Sequence, residues 1–451
     1  MNFERLDYVV WGILVVIAAF VAIVVFVDSQ AGVRIMQVSP INGQLGANSS
    51  VGIVFSHPMD QASVEQYFSV SPVVTGTLRW EGSTLWFDND SVWEKNTEYE
   101  IRIREDAVSE TGRPLQKSLI LPLTVRAPHV IFINATKGDR ELWQLPLSGE
   151  TPIQITDTGG RVFDYVVSPQ GDSIVFSVTT QDGGIDLWKI DMTDQNTVVL
   201  LSCSPDRCAN PTWSPDGTQI AYTRERKVDA PAQPYAPSRI WTLNVVSGET
   251  APLFPENDQL GASPSWSPDG ARIAFFDGAT QDIRILTLST GDIFALKSTT
   301  GVPGSWSPSG RQMFYNGALP DTNRQSIYLV DLILPDISTW ANSDKLSAES
   351  IGMPAISPDG AWVVFTASFS SAERGNQLWL MPIGGNYGNV ISADETFAHF
   401  NYEWDPFSNA LVYQRLKLGV SGAAPEIVYW DMDTWESVLL VENGAFPDWL
   451  P

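Results

Sequence analysis

Residues that could perform acid–base or nucleophilic catalysis are sparse in this chain. Its three histidines, His57, His129 and His399, lie far apart in the sequence, and none is near a Gly-x-Ser-x-Gly nucleophile elbow. The sequence also lacks a His-Glu-x-x-His zinc motif, a phosphate-binding loop and a glycine-rich dinucleotide fingerprint. We therefore predict no catalytic residues and no cofactor, and a protein that is not an enzyme.

Two pairs of aspartates have a spacing that is found in calcium-binding loops. They are Asp88 with Asp90 and Asp431 with Asp433. Neither pair has the glycine and the distal glutamate of a full calcium loop. We interpret these carboxylates as turn caps or solvated groups, and we predict no metal site.

The two cysteines of the chain, Cys203 and Cys208, enclose four residues. No histidine lies near them to complete a zinc site. We predict a disulfide, as is usual for a close pair in an exported protein. Its small loop would stabilise the fold by about 2 kcal/mol on the chain-entropy estimate. Two free thiols are the alternative.

The elements that must position any site are indicated by a recurring turn, Ser-Pro-x-Gly. Strand-like segments flank each copy, a third segment alternates around an aromatic residue, and a weaker fourth strand closes most units. Four strands in a repeat of about 40–50 residues predict a β-propeller blade. The turns start at Ser168, Ser214, Ser267, Ser307 and Ser357, with a degraded copy at 405–409.

A tryptophan recurs directly before the turn in most copies, and we expect it to pack between blades. The aspartate at the third position of several turns is expected to bond to its own turn backbone. The recurring tryptophans are Trp213, Trp266, Trp306, Trp404 and Trp449.

The two ends of the repeat region predict how the ring closes. Residues 129–156 hold strands two to four of a blade without a first strand, whereas 446–451 are a first strand without a blade. Pairing the two segments removes the exposed edges of an open ring. The count is then seven blades. It falls to six if 332–350, which has no clear fourth strand, does not complete a blade.

These repeats resemble those of TolB-type propellers, which are related in architecture to the WD-repeat proteins. The resemblance covers about residues 129–451 and rests on the five nearly intact turns. It implies a propeller that lies outside the cytoplasm and binds proteins, or that forms the non-catalytic half of certain serine peptidases. TolB-like propellers usually have six blades, so seven would be a departure.

The chain begins differently, with an uncharged apolar segment at 8–27. These 20 residues would form a helix of about 30 Å, which matches a bilayer core. We predict an N-terminal transmembrane helix within an anchor of residues 1–33; a signal peptide cleaved before Gly32 is the alternative. The expected product is a single-pass, membrane-anchored protein whose bulk is extracytoplasmic, either periplasmic or at the cell surface.

Residues 34–127 are the second predicted domain, and 128–451 are the propeller. Short alternating segments between turn residues predict a β-sandwich, as at 50–55, 84–87 and 99–104. Three further segments resemble the bacterial Ig-like domains of surface-layer and adhesin proteins: 38–43, 54–60 and 107–115. The resemblance implies a spacer or an adhesive module. The predicted chain is all-β after its anchor.

Charge is distributed unevenly over the predicted propeller. The chain has 52 acidic and 27 basic residues, a formal charge of −25, which disfavours nucleic acid and anionic lipid as partners. The loops between second and third strands share one face with the loops between blades; we call it the loop face. The loops between second and third strands hold 10 of the basic and 11 of the acidic residues, so the net charge of these loops is close to zero.

The basic residues of these loops are the candidate partner-binding site, and ordinary solvated loops are the alternative. We expect them to receive an anionic or acidic partner. They are Arg224, Arg226, Lys227, Arg239, Arg374, Arg415 and Lys417.

These features predict a non-enzymatic module that binds a protein or a glycan at the loop face and is held off the membrane by an Ig-like spacer. Two alternatives stay open. One is a structural component of a cell-surface layer, and the other is the non-catalytic propeller subunit of an envelope peptidase.

Overall fold

The structure is a computed structural model, and the chain folds as two compact units, Met1–Arg126 and Ala127–Pro451. It describes residues 32–41, 43–95, 97–136, 138–147, 149–230, 232–256, 259–319, 324–334, 336–342, 346, 348–369, 375–385, 387–392 and 394–451.

The prediction of a transmembrane helix and of single-pass anchoring is corrected by the structure. Among the described residues, no helix is long and apolar enough to cross a membrane. Helix α1 (Gln61–Tyr67) has seven residues and rises only about 10 Å, against a bilayer core of about 30 Å. The predicted span, 8–27, lies outside the described residues.

The first unit is a β-sandwich of two four-stranded sheets, with α1 between its third and fourth strands. One sheet has the order β1-β3-β6-β5 and the other β2-β8-β7-β4. The strands are β1 (Ile35–Ser39), β2 (Gln44–Leu45), β3 (Val51–Phe55), β4 (Phe68–Ser71), β5 (Gly76–Glu81), β6 (Thr84–Asn89), β7 (Glu98–Ile103) and β8 (Leu119–Val125).

Alternation along these strands builds the core of the sandwich. In β7, Tyr99, Ile101 and Ile103 are buried while the residues between them face outward. Trp93 is fully buried, with ring centroids 6.0 Å from Phe87 and 4.8 Å from Tyr99. The predicted sandwich is therefore present.

The second unit is a ring of four-stranded antiparallel blades, of which the second and third are joined into one eight-stranded sheet by a parallel pairing of Ile185 with Arg207. The first three blades contain β9 (His129–Asn134), β10 (Leu142–Pro146), β11 (Ile153–Gln154); β12 (Val162–Val167), β13 (Ser173–Thr179), β14 (Ile185–Asp191), β15 (Thr197–Leu201); and β16 (Arg207–Trp213), β17 (Gln219–Glu225), β18 (Arg239–Asn244), β19 (Thr250–Pro252).

The remaining blades follow the same order along the chain. They contain β20 (Ala262–Trp266), β21 (Arg272–Asp277), β22 (Asp282–Thr287), β23 (Ile293–Lys297); β24 (Ser305–Trp306), β25 (Gln312–Ala318), β26 (Gln325–Asp331), β27 (Asp336–Asn342); β28 (Ser350–Ile356), β29 (Trp362–Ser368), β30 (Gln377–Pro382), β31 (Asn389–Val390); and β32 (Phe397–Trp404), β33 (Ala410–Lys417), β34 (Pro425–Asp431), β35 (Ser437–Glu442).

The last strand, β36 (Gly444–Leu450), closes the ring by pairing with β9 from the start of the propeller. The first blade thus has the order β11-β10-β9-β36, which is the closure predicted from the two ends. Residues 332–350, which showed no clear fourth strand in the sequence, do contain one: β27, which pairs with β26. In the part of the chain that the structure describes, the ring therefore has seven blades.

The repeated turns and tryptophans have the structural roles expected of them. In the turn at Ser214, the serine hydroxyl bonds to Asp216, whose carboxylate also accepts the backbone N–H of Thr218 at 3.0 Å. Trp213 is buried in a cluster with residues of blades two and three. Trp449 is likewise buried, with residues of blades one and seven. Packing between blades therefore explains the recurrence.

Candidate functional site

The first strand of each blade lines the central channel of the ring. Most successive first strands contact one another, as β12 and β16 or β32 and β36 do. Five of these inner strands carry a register shift next to a residue of positive φ, and such a bulge redirects side chains. The residues of positive φ are Asn210, Ser263, Met353, Asn401 and Phe446.

A cavity of about 640 Å³ lies among the inner strands where the ring closes. We call it the channel cavity. A second cavity of about 410 Å³ shares Asn401 and Glu403 with it. The channel cavity is lined by Ile133, Arg140, Phe163, Asp164, Tyr165, Asn210, Asn401, Glu403, Phe446, Pro447 and Asp448.

The lining residues indicate on which side of the ring the cavities lie. Arg140 comes from the loop between β9 and β10, and Thr300 and Val302 come from the loop between β23 and β24. Both loops belong to the loop face. The lining includes no Ser-Pro-x-Gly turn, which would mark the opposite face.

Two carboxylates in this cavity occupy equivalent positions of neighbouring blades. Glu403 precedes the repeated Trp404, and Asp448 precedes the repeated Trp449. The five other blades have an uncharged residue at this inward position: Val166, Thr212, Ser265, Ser305 and Ala355.

The surroundings of the two carboxylates disfavour their ionised forms. Channel walls surround Glu403, although its side chain is exposed to the cavity. Burial, followed by the negative charge of Asp448, raises the pKa of Glu403. Burial also raises the pKa of Asp448, opposed by backbone N–H groups such as that of Trp449, 2.7 Å from Oδ1. In the described part of the chain, no hydrogen-bond donor reaches the Glu403 carboxylate.

A third carboxylate and a guanidinium complete the polar lining. Asp164 accepts the backbone N–H of Asn210 at 2.8 Å. Burial raises the pKa of Asp164, opposed by this bond and by the charge of Arg140. Arg140 donates from Nε to Val162 O and from Nη2 to Phe163 O, both at 2.9 Å. Backbone carbonyls therefore hold the guanidinium in place.

Aromatic side chains form much of the remaining wall. Phe163 is 48% exposed and Phe446 is 47% exposed, although both are large and apolar. The Tyr165 hydroxyl lies 2.6 Å from Phe446 O and 2.8 Å from Ile131 O, and so connects β12 to the paired strands β36 and β9. The cavity therefore combines apolar surface with converging polar groups.

The basic residues predicted as a binding site are largely engaged within the chain. Arg224 donates to Asp206 Oδ2 from Nε at 3.0 Å and from Nη2 at 2.8 Å, and its guanidinium lies 4.7 Å from the ring centre of Trp241. Asp206 Oδ1 accepts the backbone N–H of Lys227, whose ammonium lies 4.8 Å from the ring centre of Tyr235. This arrangement fastens the loop to the protein.

The other predicted residues do not join this cluster to form one site. Arg415, four blades further along the chain, pairs with Glu426 at 2.7 Å. Arg226 and Lys417 are exposed, and Arg239 is half-buried, with Nη1 donating to a backbone carbonyl. Arg374 lies outside the described residues. An anionic partner at these residues stays a prediction, with little unpaired charge to support it.

Two serine–histidine contacts can be assigned among the described residues, but neither has the surroundings of a catalytic site. His57 Nδ1 is 2.9 Å from Ser56 Oγ, and its Nε2 faces Arg113 where a triad would need a carboxylate. His399 is fully buried, with Ser392 Oγ at 2.7 Å and a backbone carbonyl on its other nitrogen. Burial lowers its pKa.

Cys203 and Cys208 form a disulfide beside the basic loop, with Cα atoms 6.1 Å apart. The aspartates with calcium-like spacing have ordinary roles: Asp431 Oδ1 accepts the backbone N–H of Thr434 at 2.9 Å, and Asp88 faces Arg79. Within the described ranges, no three His, Cys, Asp or Glu side chains come together to hold a metal ion.

Sequence reasoning did not single out Asp164, Glu403, Asp448 or Arg140. A signal for two of them was present, because Glu403 and Asp448 are the charged residues that stand before a repeated tryptophan. Arg140 lies in a short loop outside the repeated motifs, so comparison of the repeats could not identify it. Its place at the cavity is seen only in the folded ring.

Comparison with known proteins supports the two predicted folds. Residues 29–120 match the sequence profile of the family described as bacterial Ig-like domain, which confirms the resemblance of the first domain. The chain also matches the uncharacterized peptidase YuxL of Bacillus subtilis, at 25% identity over 169 residues. That match covers 37% of this chain and 23% of YuxL, so the chain spans less than a quarter of this curated relative.

Solved structures share the propeller fold. A puromycin-hydrolyzing peptidase of Mycobacterium tuberculosis has a TM-score of 0.53 and 16% identity, over 79% of this chain and 53% of that one. An oligogalacturonate lyase in complex with manganese has a TM-score of 0.52 and 16% identity, over 68% and 87%. At such identities the likeness shows the fold alone.

Proposed function

We propose that this chain is a non-enzymatic binding protein whose propeller takes up a segment of a protein partner in the channel cavity. The observation that carries this proposal is the cavity itself. Its volume of about 640 Å³ falls in the range of ligand sites, which combine apolar walls with a few converging polar groups.

The site is built on rigid elements, which favours binding without a large rearrangement. Its walls are inner strands, each paired within its own blade, and the Tyr165 hydroxyl connects β12 to the closing pair of strands. The bulged residues that line it, such as Asn401 and Phe446, are held in an uncommon conformation by these sheets. A preformed cavity spends less free energy on ordering when a ligand enters.

Chemistry on a bound substrate has weaker support than binding. The two serine–histidine pairs stand outside the channel cavity, and one of them is fully buried. The cavity offers carboxylates, a guanidinium held by carbonyl oxygens, and aromatic rings. These groups can orient and hold a ligand.

A random peptide library displayed on phage would test this proposal against the full chain. Enriched peptides should bind roughly three- to tenfold more weakly to Phe163→Ala and Phe446→Ala, because each ring is about half exposed and covering the rest is worth roughly 1 kcal/mol. The matched control is Tyr387→Ala, which removes an aromatic ring that is 76% exposed outside the cavity. Peptides that bind all three variants equally, or no enriched peptides, would overturn the proposal.

A second candidate is the non-catalytic propeller partner of a peptidase. The matches to YuxL and to the puromycin-hydrolyzing peptidase favour it, because both of those proteins are named as peptidases. This chain would then bind a separate catalytic protein. Changed cleavage of peptide substrates by a candidate peptidase on addition of this chain would support it, and unchanged cleavage would count against it.

A further inference from the structure

A pair of neighbouring carboxylates distinguishes the channel cavity from the rest of the ring. Glu403 of β32 and Asp448 of β36 stand at the inward position that is uncharged in the five other blades. The repeat therefore forms blades without a carboxylate there. Packing of the blades does not explain the pair, and placing two like charges together works against folding.

The lining does not neutralise these charges. Three carboxylates, those of Asp164, Glu403 and Asp448, face one guanidinium, so the ionised lining has an excess of two negative charges. That guanidinium, of Arg140, directs Nε and Nη2 to backbone carbonyls. Among the residues that the structure describes, nothing donates a hydrogen bond to the Glu403 carboxylate.

Independent evidence for a ligand comes from the apolar wall. Phe163 and Phe446 each leave nearly half of their surface open in a concave site. Apolar surface that stays open within a concave site is typical of ligand-binding cavities. Aromatic faces also attract cations, so the apolar and acidic parts of the lining favour the same type of ligand.

We infer that the channel cavity receives the side chain of a lysine or arginine from an extended segment of the protein partner. Such a side chain has an apolar stem, which would lie against Phe163 and Phe446, and a charged end, which would face Glu403 and Asp448. An acidic segment would meet like charge. The inference rests on the proposed function, because the partner must first enter the cavity.

The electrostatics of the channel cavity agree with this assignment. Burial and then the charge of Asp448 raise the pKa of Glu403, so both its surroundings and its neighbour disfavour the ionised form. Burial, followed by the charges of Asp448 and Glu403, also raises the pKa of the Tyr165 hydroxyl. A bound ammonium or guanidinium group would relieve this repulsion.

The test uses the enriched peptides in two synthetic forms, one with lysine and one with the neutral acetyl-lysine. Fluorescence anisotropy gives the dissociation constants for the full chain and for Glu403→Gln, Asp448→Asn and Glu442→Gln. Glu442 is an exposed carboxylate on the outer strand β35 of the same blade, so its variant has the same net charge. We expect acetylation to weaken binding by about tenfold in the wild type and in Glu442→Gln.

The variants of the pair should respond differently. In Glu403→Gln and Asp448→Asn, acetylation should change the affinity by less than about threefold, because each variant removes one of the two carboxylates that would face the ammonium group. The inference would be overturned if acetylation changed the affinity equally in all four proteins, or if the enriched peptides contained no lysine or arginine. Peptides without lysine and arginine would still support the proposed function if Phe163→Ala and Phe446→Ala weakened their binding. If neither the acetylation test nor the two phenylalanine variants gave the expected result, both proposals would be wrong.

Discussion

The indole Nε1 of Trp449 donates a hydrogen bond of 3.1 Å to the backbone carbonyl oxygen of Glu403. This bond runs from the closing strand β36 to the last blade, and it places Asp448, the residue before Trp449, near Glu403. Closure of the ring and assembly of the acidic site therefore occur at the same place. Neutral substitutions of these carboxylates are expected to increase stability and to weaken binding.

Glu403→Gln should stabilise the protein above neutral pH. The folded state retains the Glu403 proton to a higher pH than the unfolded chain, because its pKa is raised. Stability therefore falls as pH rises from the unfolded pKa through the folded one, and the uncharged glutamine avoids that loss. Thermal unfolding at about pH 5 and about pH 9 would show a higher midpoint for the variant at the higher pH.

The control for this prediction is Glu442→Gln, whose carboxylate is exposed on β35. Its unfolding midpoint should change little at either pH. A midpoint of Glu403→Gln below that of the wild type at high pH would contradict the account, because it would assign Glu403 a stabilising role in the ring.

Affinity for a lysine peptide should increase with pH. The cation needs ionised carboxylates, and the raised pKa values of Glu403 and Asp448 delay ionisation beyond the ordinary carboxyl range. The groups around the pair are Asp164 and Tyr165 of β12 and Arg140 of the β9–β10 loop. Titration calorimetry between about pH 5 and about pH 8 should show tighter binding at the higher pH, as lysine stays protonated throughout. An affinity that did not change with pH would contradict a role of the two carboxylates in binding the lysine.

Glu141→Ala should destabilise the propeller. This carboxylate is 1% exposed and accepts the backbone N–H groups of Thr158 and Gly160, each at 2.7 Å. Each buried N–H left without an acceptor costs about 1–3 kcal/mol, so the free energy of unfolding should fall by at least about 2 kcal/mol. Chemical denaturation of Glu141→Ala would measure this loss, and the exposed Glu256→Ala should show none. Equal stability of the two variants would refute the structural role.

Asp206→Asn should loosen the basic loop. Asp206 accepts both Arg224 and the backbone N–H of Lys227, and the variant would weaken both contacts. Limited digestion with trypsin, followed by mass spectrometry, should show faster cleavage after Arg226 and Lys227. Asp229→Asn, at an exposed position of the same loop, should digest like the wild type. If both variants digested alike, Asp206 would not be the fastening group.

Much of the ring could be predicted from sequence because its repeat has strong local signals. The Ser-Pro-x-Gly turn fixes a hairpin, and the leftover strands at 129–156 and 446–451 complete one another as β9 and β36. The fourth strand β27 was obscure, since an outer strand is held through backbone pairing and tolerates polar residues such as Asp336.

The site was harder to predict because it depends on contacts between blades. Counting charge along the loops could not show that Arg224 pairs with Asp206, 18 residues earlier, or that Arg415 pairs with Glu426. Conversely, Glu403 and Asp448 are 45 residues apart in the sequence, and closure of the ring makes them neighbours.

Photocrosslinking from inside the cavity tests the location of binding most directly. Benzoylphenylalanine placed at Phe163, and in a control protein at the exposed Tyr387, would be irradiated with an enriched lysine peptide and the adducts mapped by mass spectrometry. The account predicts an adduct from position 163 whose yield, below saturating peptide, falls clearly in Glu403→Gln, and none from position 387. A peptide that binds tightly yet crosslinks equally from both positions, or only from 387, would contradict it.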